Sequence, residues 1–307
     1  MSPSRRPRSL LVVALLLLAP GAALAKLHVV ATLPDLAAIA SEVTGDLAEV
    51  HALASPRQDP HYVDPKPSLV LELNRADLVI VNGLQLEDAW LAPLLTQARN
   101  PKVLAGAPGY VDASSFVELL EVPSGKIDRS MGDVHPGGNP HFLFDPRRGA
   151  KVALGLGERL AAIDAEHAGE YRKRAQAYAA RLEAFAVETR ARLSSLPKEE
   201  RDVVAYHKSL VYLFDWLALD EVATLEPRPG IPPDPGHVAR VLSLMKQRSV
   251  RAIVQEEFYP TNASKTLSQL TKAKLVVIHG GTRVAEGETY EQHLQHIAED
   301  LHAALAR

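Results

Sequence analysis

The chain has 307 residues, with 34 lysines and arginines against 37 aspartates and glutamates, and a formal net charge of -3. That balance offers no basic surplus or basic run for nucleic acid. No cysteine occurs, which excludes disulfides, thiolate metal ligands, a cysteine nucleophile and acylation at a cysteine.

Residues 1–25 read as a cleavable export signal. Arg5, Arg6 and Arg8 form a basic start, residues 9–18 an apolar core, and Ala23-Leu24-Ala25 a small-x-small cleavage site before Lys26. The apolar core is about half the roughly 20 residues that a membrane span requires. An exported chain without a cysteine to acylate is expected to be a soluble monomer in the periplasm of a diderm bacterium.

From Lys26 onward, short β-rich runs alternate with helical ones. Residues 27–32 predict a strand, 33–43 a helix and 49–54 a second strand. That strand runs into a proline-rich loop, after which Ser68 looks like the cap of a helix bearing Leu69, Leu71 and Leu73. Residues 78–81 form a short buried strand ended by Asn82-Gly83. Strands separated by helices of about 10–15 residues indicate βαβ units and a mostly parallel sheet. Residues 106–140, with Gly106, Gly109, Gly125, Gly132, Gly137 and Gly138, break this rhythm, and 131–139 read as a mobile loop. Asp145-Pro146 reads as an N-cap followed by proline at the first helical position.

In residues 164–196, Tyr171, Ala175, Tyr178, Leu182, Phe185, Thr189, Leu193 and Leu196 recur at steps of three and four. About 30 residues at 1.5 Å each make a helix of roughly 45 Å, long enough to run between two domains. The alternation then resumes with strands at 203–206, 221–225, 250–255 and 274–278 and helices at 209–217, 236–248, 261–271 and 289–305. The expected fold is α/β, with two lobes, each a mostly parallel sheet flanked by helices, joined by one long rigid helix. Its divisions are the leader 1–25, a first lobe 26–163, a connecting helix 164–196 and a second lobe 197–307.

Three histidines sit in similar local settings: Asp59-Pro60-His61, Asn139-Pro140-His141 and Ala205-Tyr206-His207. Imidazole is the commonest protein ligand for transition metals, and three of them suit a nitrogen-rich, zinc-type centre. Separations this long are not those of a zinc finger, so the fold must assemble the site. In open parallel sheets ligands bind beyond the carboxyl ends of strands, where His61, His207, Glu256-Glu257 and His279 all fall. A lone histidine at a strand end is usually a surface or packing residue; the convergence of several favours metal for His61, His141 and His207.

The remaining histidines have plainer readings. His28 and His51 lie in strands as structural or edge residues. His167, His293, His296 and His302 lie on charged helices as solvated groups, and His237 is a helix-start residue. His135, in the glycine-rich loop, is a secondary candidate for touching metal during capture. Asp64 and Asp145 are candidates to accept the second ring N–H of a ligating histidine, although each is equally a turn or cap residue, with the cap favoured for Asp145.

These segments resemble the metal-binding signatures of the zinc/manganese-binding proteins of bacterial ABC importers. Asp59-Pro-His61-Tyr-Val-Asp64-Pro-Lys-Pro-Ser68 resembles the first. Asn139-Pro-His141-Phe-Leu-Phe-Asp145-Pro146 resembles the second, and Tyr206-His207-Lys208-Ser209 with Tyr212 and Trp216-Leu217 the third. The resemblance runs from Lys26 to the last helix. It implies two α/β lobes, a rigid connecting helix and a metal held between the lobes. Many members carry an aspartate as fourth ligand where this chain has His279-Gly280-Gly281, and the long histidine-rich acidic loop of some zinc-binding members is missing here. The fourth ligand is therefore open among Glu256, His279 and water, with Glu256 preferred because it completes a three-histidine-carboxylate set.

The resulting expectation is capture of a divalent transition metal, zinc first and manganese second, for delivery to a membrane permease. It is a binding role rather than an enzymatic one. A zinc-dependent hydrolase using the same histidines, with Glu256 or Glu257 as general base, is the competing class. No His-Glu-x-x-His motif supports it. An adhesion or scaffold protein using metal structurally is a third.

Overall fold

The computed structural model describes residues 26–125, 132 and 134–306; the export signal lies outside these residues. The first lobe runs β1 (Leu27–Ala31), α1 (Pro34–Thr44), β2 (Ala48–Ala52), α2 (Pro67–Arg75), β3 (Leu78–Val81), α3 (Leu91–Ala98), β4 (Tyr110–Asp112) and α4 (Pro146–Ile163). After α5 (Ala168–Ser194), the second lobe runs β5 (Asp202–Ala205), α6 (Val211–Leu217), β6 (Asp220–Thr224), α7 (Pro235–Arg248), β7 (Ala252–Glu256), α8 (Asn262–Thr271), β8 (Lys274–Ile278) and α9 (Tyr290–Leu305).

Each lobe holds a four-stranded sheet, in the orders β2-β1-β3-β4 and β6-β5-β7-β8, with every pairing parallel. The two orders are the same walk through a sheet, so the likeness of the two halves, invisible in their letters, is a likeness of topology. Parallel strands covered on both faces need continuous apolar runs. Leu78-Val79-Ile80-Val81 and Val203-Val204-Ala205 supply them, all buried.

The stripe expected along the long helix is buried at Tyr171, Ala175, Tyr178, Leu182 and Leu193. The helix itself spans 27 residues rather than the whole of 164–196, because a 3-10 turn at Ala165–His167 precedes it. At 1.5 Å per residue it is about 40 Å long. It packs on α1 and α4 of the first lobe and on α6 and α9 of the second. One continuous core therefore runs through both lobes, from Ile39 and Leu156 to Trp216, Leu294 and Leu301. A smaller cluster around Val204, Met245, Ile253 and Leu267 lies in the second lobe.

The lobes are fastened at further points besides α5. Asp35 on α1 accepts hydrogen bonds from the Thr282 backbone N–H, at 3.0 Å, and from its hydroxyl. The Tyr290 hydroxyl donates to the carbonyl of Leu143 at 2.7 Å. The single stiff connector expected from the sequence is one of several.

Two elements have no counterpart in the sequence reading. In α3, Pro93 sits in the first turn, where a missing N–H is harmless, and β4 is three residues long. Ser68 does not cap α2. The helix starts two residues earlier than that cap implies, with Pro67 at its first position, and Lys66 at the cap makes no side-chain hydrogen bond. Asp145 does cap α4, accepting from the Arg147 N–H at 2.8 Å. The mobility expected for 131–139 rests partly on residues 131 and 133, which lie outside the described residues.

Candidate metal centre

The two Asx-Pro-His segments fold alike. The Asp59 carboxylate accepts the backbone N–H of His61 at 3.0 Å, and the Asn139 side-chain oxygen accepts that of His141, also at 3.0 Å. An Asx residue bonding its own chain two residues on is a compact turn, and here it presents the histidine ring outward from a fixed backbone. The Trp90 indole N–H holds the first turn through the Pro60 carbonyl at 2.9 Å. The second turn is entered through Gly138, whose φ of +119° suits glycine and at which a Cβ would meet the Leu120 carbonyl at 3.1 Å. It is left through a 3-10 turn, Phe142–Phe144, with all three side chains buried. His207 follows β5 by two residues.

These three segments bring the ligand atoms of His61, His141 and His207 within 4.8 Å of one another. The ring centroids lie 5.2 Å apart for His61 and His141, 5.9 Å for His61 and His207, and 5.7 Å for His141 and His207. His61 and His207 are buried and His141 is partly so. A cavity of about 250 Å³ lined by His135, His141, His207 and Lys208 adjoins them.

Two of the three rings are held by a carboxylate. His61 Nδ1 bonds Asp59 Oδ1 at 2.7 Å, and His207 Nδ1 bonds Glu226 Oε2 at 2.7 Å. This is the carboxylate-histidine pairing that fixes the tautomer and aims Nε2 at a metal. Neither candidate named from the sequence is among these partners, and for Asp145 the favoured cap role holds. Asp64 is exposed, and Asp145 is engaged with Arg147 and Arg148. Asp59 was legible as the residue two before the histidine, as in an Asx turn. Glu226 follows β6 and had no signal, because only the β5-β6 pairing brings it beside His207.

The electrostatics suit a cation. Burial favours the neutral form of His141 and holds its pKa well below the usual value, with the neighbouring histidines adding to the effect. For His207, burial acts the same way but is outweighed by the Glu226 hydrogen bond and charge, so its pKa is raised. Burial pushes Asp59 up, but the bonds from His61 outweigh it and hold the carboxylate below its ordinary range.

His135 approaches more closely than its sequence setting suggested, with Nε2 3.3 Å from His61 Nε2. Its Nδ1 donates to the Leu84 carbonyl at 2.7 Å. The two Nε2 atoms face each other, although His135 lies outside the group formed by His61, His141 and His207. Tetrahedral zinc with bonds of about 2.0–2.1 Å to imidazole sets nitrogens about 3.4 Å apart.

Glu256 ends β7 and is buried. It accepts from the Ser209 hydroxyl, its other oxygen is unpartnered, and burial raises its pKa despite the attraction of nearby His207. It lies outside the three-histidine group. His279 also lies outside that group, with its Nδ1 3.0 Å from Glu257 and its ring against Arg283. The two carboxylates available as a hydrolytic base are thus bound to Ser209 and His279. His237 stands in the first turn of α7 as expected, its N–H capped by Asp234. His293, expected on a solvated face, is buried because α9 packs its helix face against the core.

Comparison with known proteins agrees with this architecture. The family model described as ZnuA, zinc-uptake complex component A periplasmic, matches residues 29–304. The chain is 23% identical over 289 residues to the metal ABC transporter substrate-binding lipoprotein SsaB of Streptococcus sanguinis, covering 92% of this chain and 90% of that one. It is 25% identical over 287 residues to the manganese ABC transporter substrate-binding lipoprotein PsaA of Streptococcus pneumoniae, covering 90% and 89%. A crystal structure of ZnuA superimposes with a TM-score of 0.77 at 20% identity, covering 92% of this chain and all of that one. The chain belongs to the ZnuA family of periplasmic metal-binding components of ABC importers.

Proposed function

We propose that this protein captures one zinc ion in the periplasm, between lobes 26–163 and 197–307, and delivers it to the permease of an ABC importer. The observation that carries the reading is the convergence of His61, His141 and His207 within 4.8 Å, with carboxylates behind two of the rings. Manganese is the metal named for PsaA, but it favours more carboxylate oxygen than this nitrogen-rich set offers. For the fourth position the 3.3 Å approach to His61 favours His135. The buried Glu256, with one free oxygen, is the carboxylate alternative. SsaB and PsaA are named as lipoproteins, whereas this chain has no cysteine to acylate. Among the described residues no helix is long and apolar enough to cross a membrane. The missing cysteine supports an exported protein that carries no lipid anchor.

The test is competitive titration of untagged protein with zinc, manganese and copper. Alanine at His61, His141 or His207 is expected to weaken zinc at least tenfold each, about 1.4 kcal/mol. Parallel titrations of His135→Ala and Glu256→Gln assign the fourth position to the variant with the larger loss. Unchanged zinc affinity in all three histidine variants would refute the reading.

A further inference from the structure

A second set of donors lies in the first lobe. The register of β1 and β2 pairs His28 with Glu49 and Val30 with His51. Residues two apart in a strand share a face, so His28 and His51 stand on the same face of adjacent strands. Glu72, from α2, reaches both. Its Oε2 lies 3.0 Å from His28 Nε2 and 3.8 Å from His51 Nδ1. The two rings are 4.8 Å apart and tilted by only 34°, and the ligand atoms of all three residues lie within 4.8 Å of one another.

We infer that His28, His51 and Glu72 form a second binding site, for a borderline divalent transition ion of the zinc class, separate from the three-histidine centre. Two imidazoles and one carboxylate form a facial donor set that leaves further positions to water. The set comes from three elements, two of them locked in one β-ladder, so little rearrangement is needed to close it on an ion. His28 is fixed further by the bond from its backbone N–H to Asp77 at 3.1 Å. The side chains are 17%, 45% and 31% exposed for His28, His51 and Glu72, so an ion can enter from solvent and exchange with it. Three half-exposed donors bind more weakly than a buried set. The site should therefore fill after the first, and it is too poor in oxygen to favour calcium or magnesium. On a protein that acquires metal from dilute solution, it would hold a second, rapidly exchanging equivalent at the surface.

Zinc titration of the untagged protein tests this, in the wild type, His51→Asn, Glu72→Gln and His141→Ala, with folding checked by thermal unfolding. The wild type is expected to take up two equivalents, the second at least a hundredfold weaker. His51→Asn and Glu72→Gln should each weaken the second equivalent tenfold or more and leave the first unchanged. His141→Ala should weaken the first and keep the second, which separates this site from the proposed transport site. A single equivalent in the wild type, or a second one unmoved by both His51→Asn and Glu72→Gln, would overturn the assignment.

Discussion

The side-chain amide of Asn139 donates a hydrogen bond of 2.7 Å to the carbonyl of Lys208. Asn139 stands two residues before His141, and Lys208 directly follows His207. One amide therefore sets the spacing between a first-lobe histidine and the second-lobe histidine. The same residue accepts the His141 N–H through its side-chain oxygen and the Tyr212 hydroxyl through its carbonyl, at 3.0 and 2.8 Å. The proposed metal centre is thus positioned by polar struts between the lobes as well as by α5.

Asn139→Ala is expected to leave the fold intact and weaken zinc several-fold, about 1 kcal/mol, as for loss of a net hydrogen bond. Unaltered affinity by titration would show that the buried Phe142–Phe144 turn positions His141 without the strut.

Zinc affinity should depend on pH through His207. Its pKa is raised above 6.5 by Glu226 in spite of burial, and zinc must displace that proton. Affinity should climb as pH rises through the raised pKa and then level off. His141, held neutral, adds no such step. Glu226→Gln keeps an acceptor but removes the charge, so the midpoint of the rise should move to lower pH. An unmoved midpoint would mean that another group sets it.

Thr282→Val removes the hydroxyl that bonds buried Asp35 across the lobes. The backbone N–H bond remains, yet the carboxylate loses a partner inside the protein, so a loss of about 1–3 kcal/mol is expected in urea unfolding. A loss within error would place the interlobe stability in the apolar packing of α9 instead.

Much of this was legible in the letters, because the signals were periodic or local. The α5 stripe repeats at helical spacing, strands such as Leu78–Val81 are continuous apolar runs, and the Asx-Pro-His turns are contained in three residues. What escaped depends on pairing distant segments. Glu226 reaches His207 only through the β5-β6 ladder, His135 meets His61 across 74 residues, and Glu72 meets His28 and His51 only when α2 packs beside β1 and β2. β4 escaped because three residues between glycines and a turn carry too little period to read.

The most direct test is the X-ray absorption spectrum at the zinc edge of protein loaded with less than one equivalent of zinc, so that the tightest site alone is filled. A four-coordinate shell dominated by imidazole is expected, with at least three histidine nitrogens at about 2.0–2.1 Å. His141→Ala should then lose one imidazole from that shell. A six-coordinate shell of oxygens, or a spectrum unchanged in His141→Ala, would contradict a zinc centre built on His61, His141 and His207.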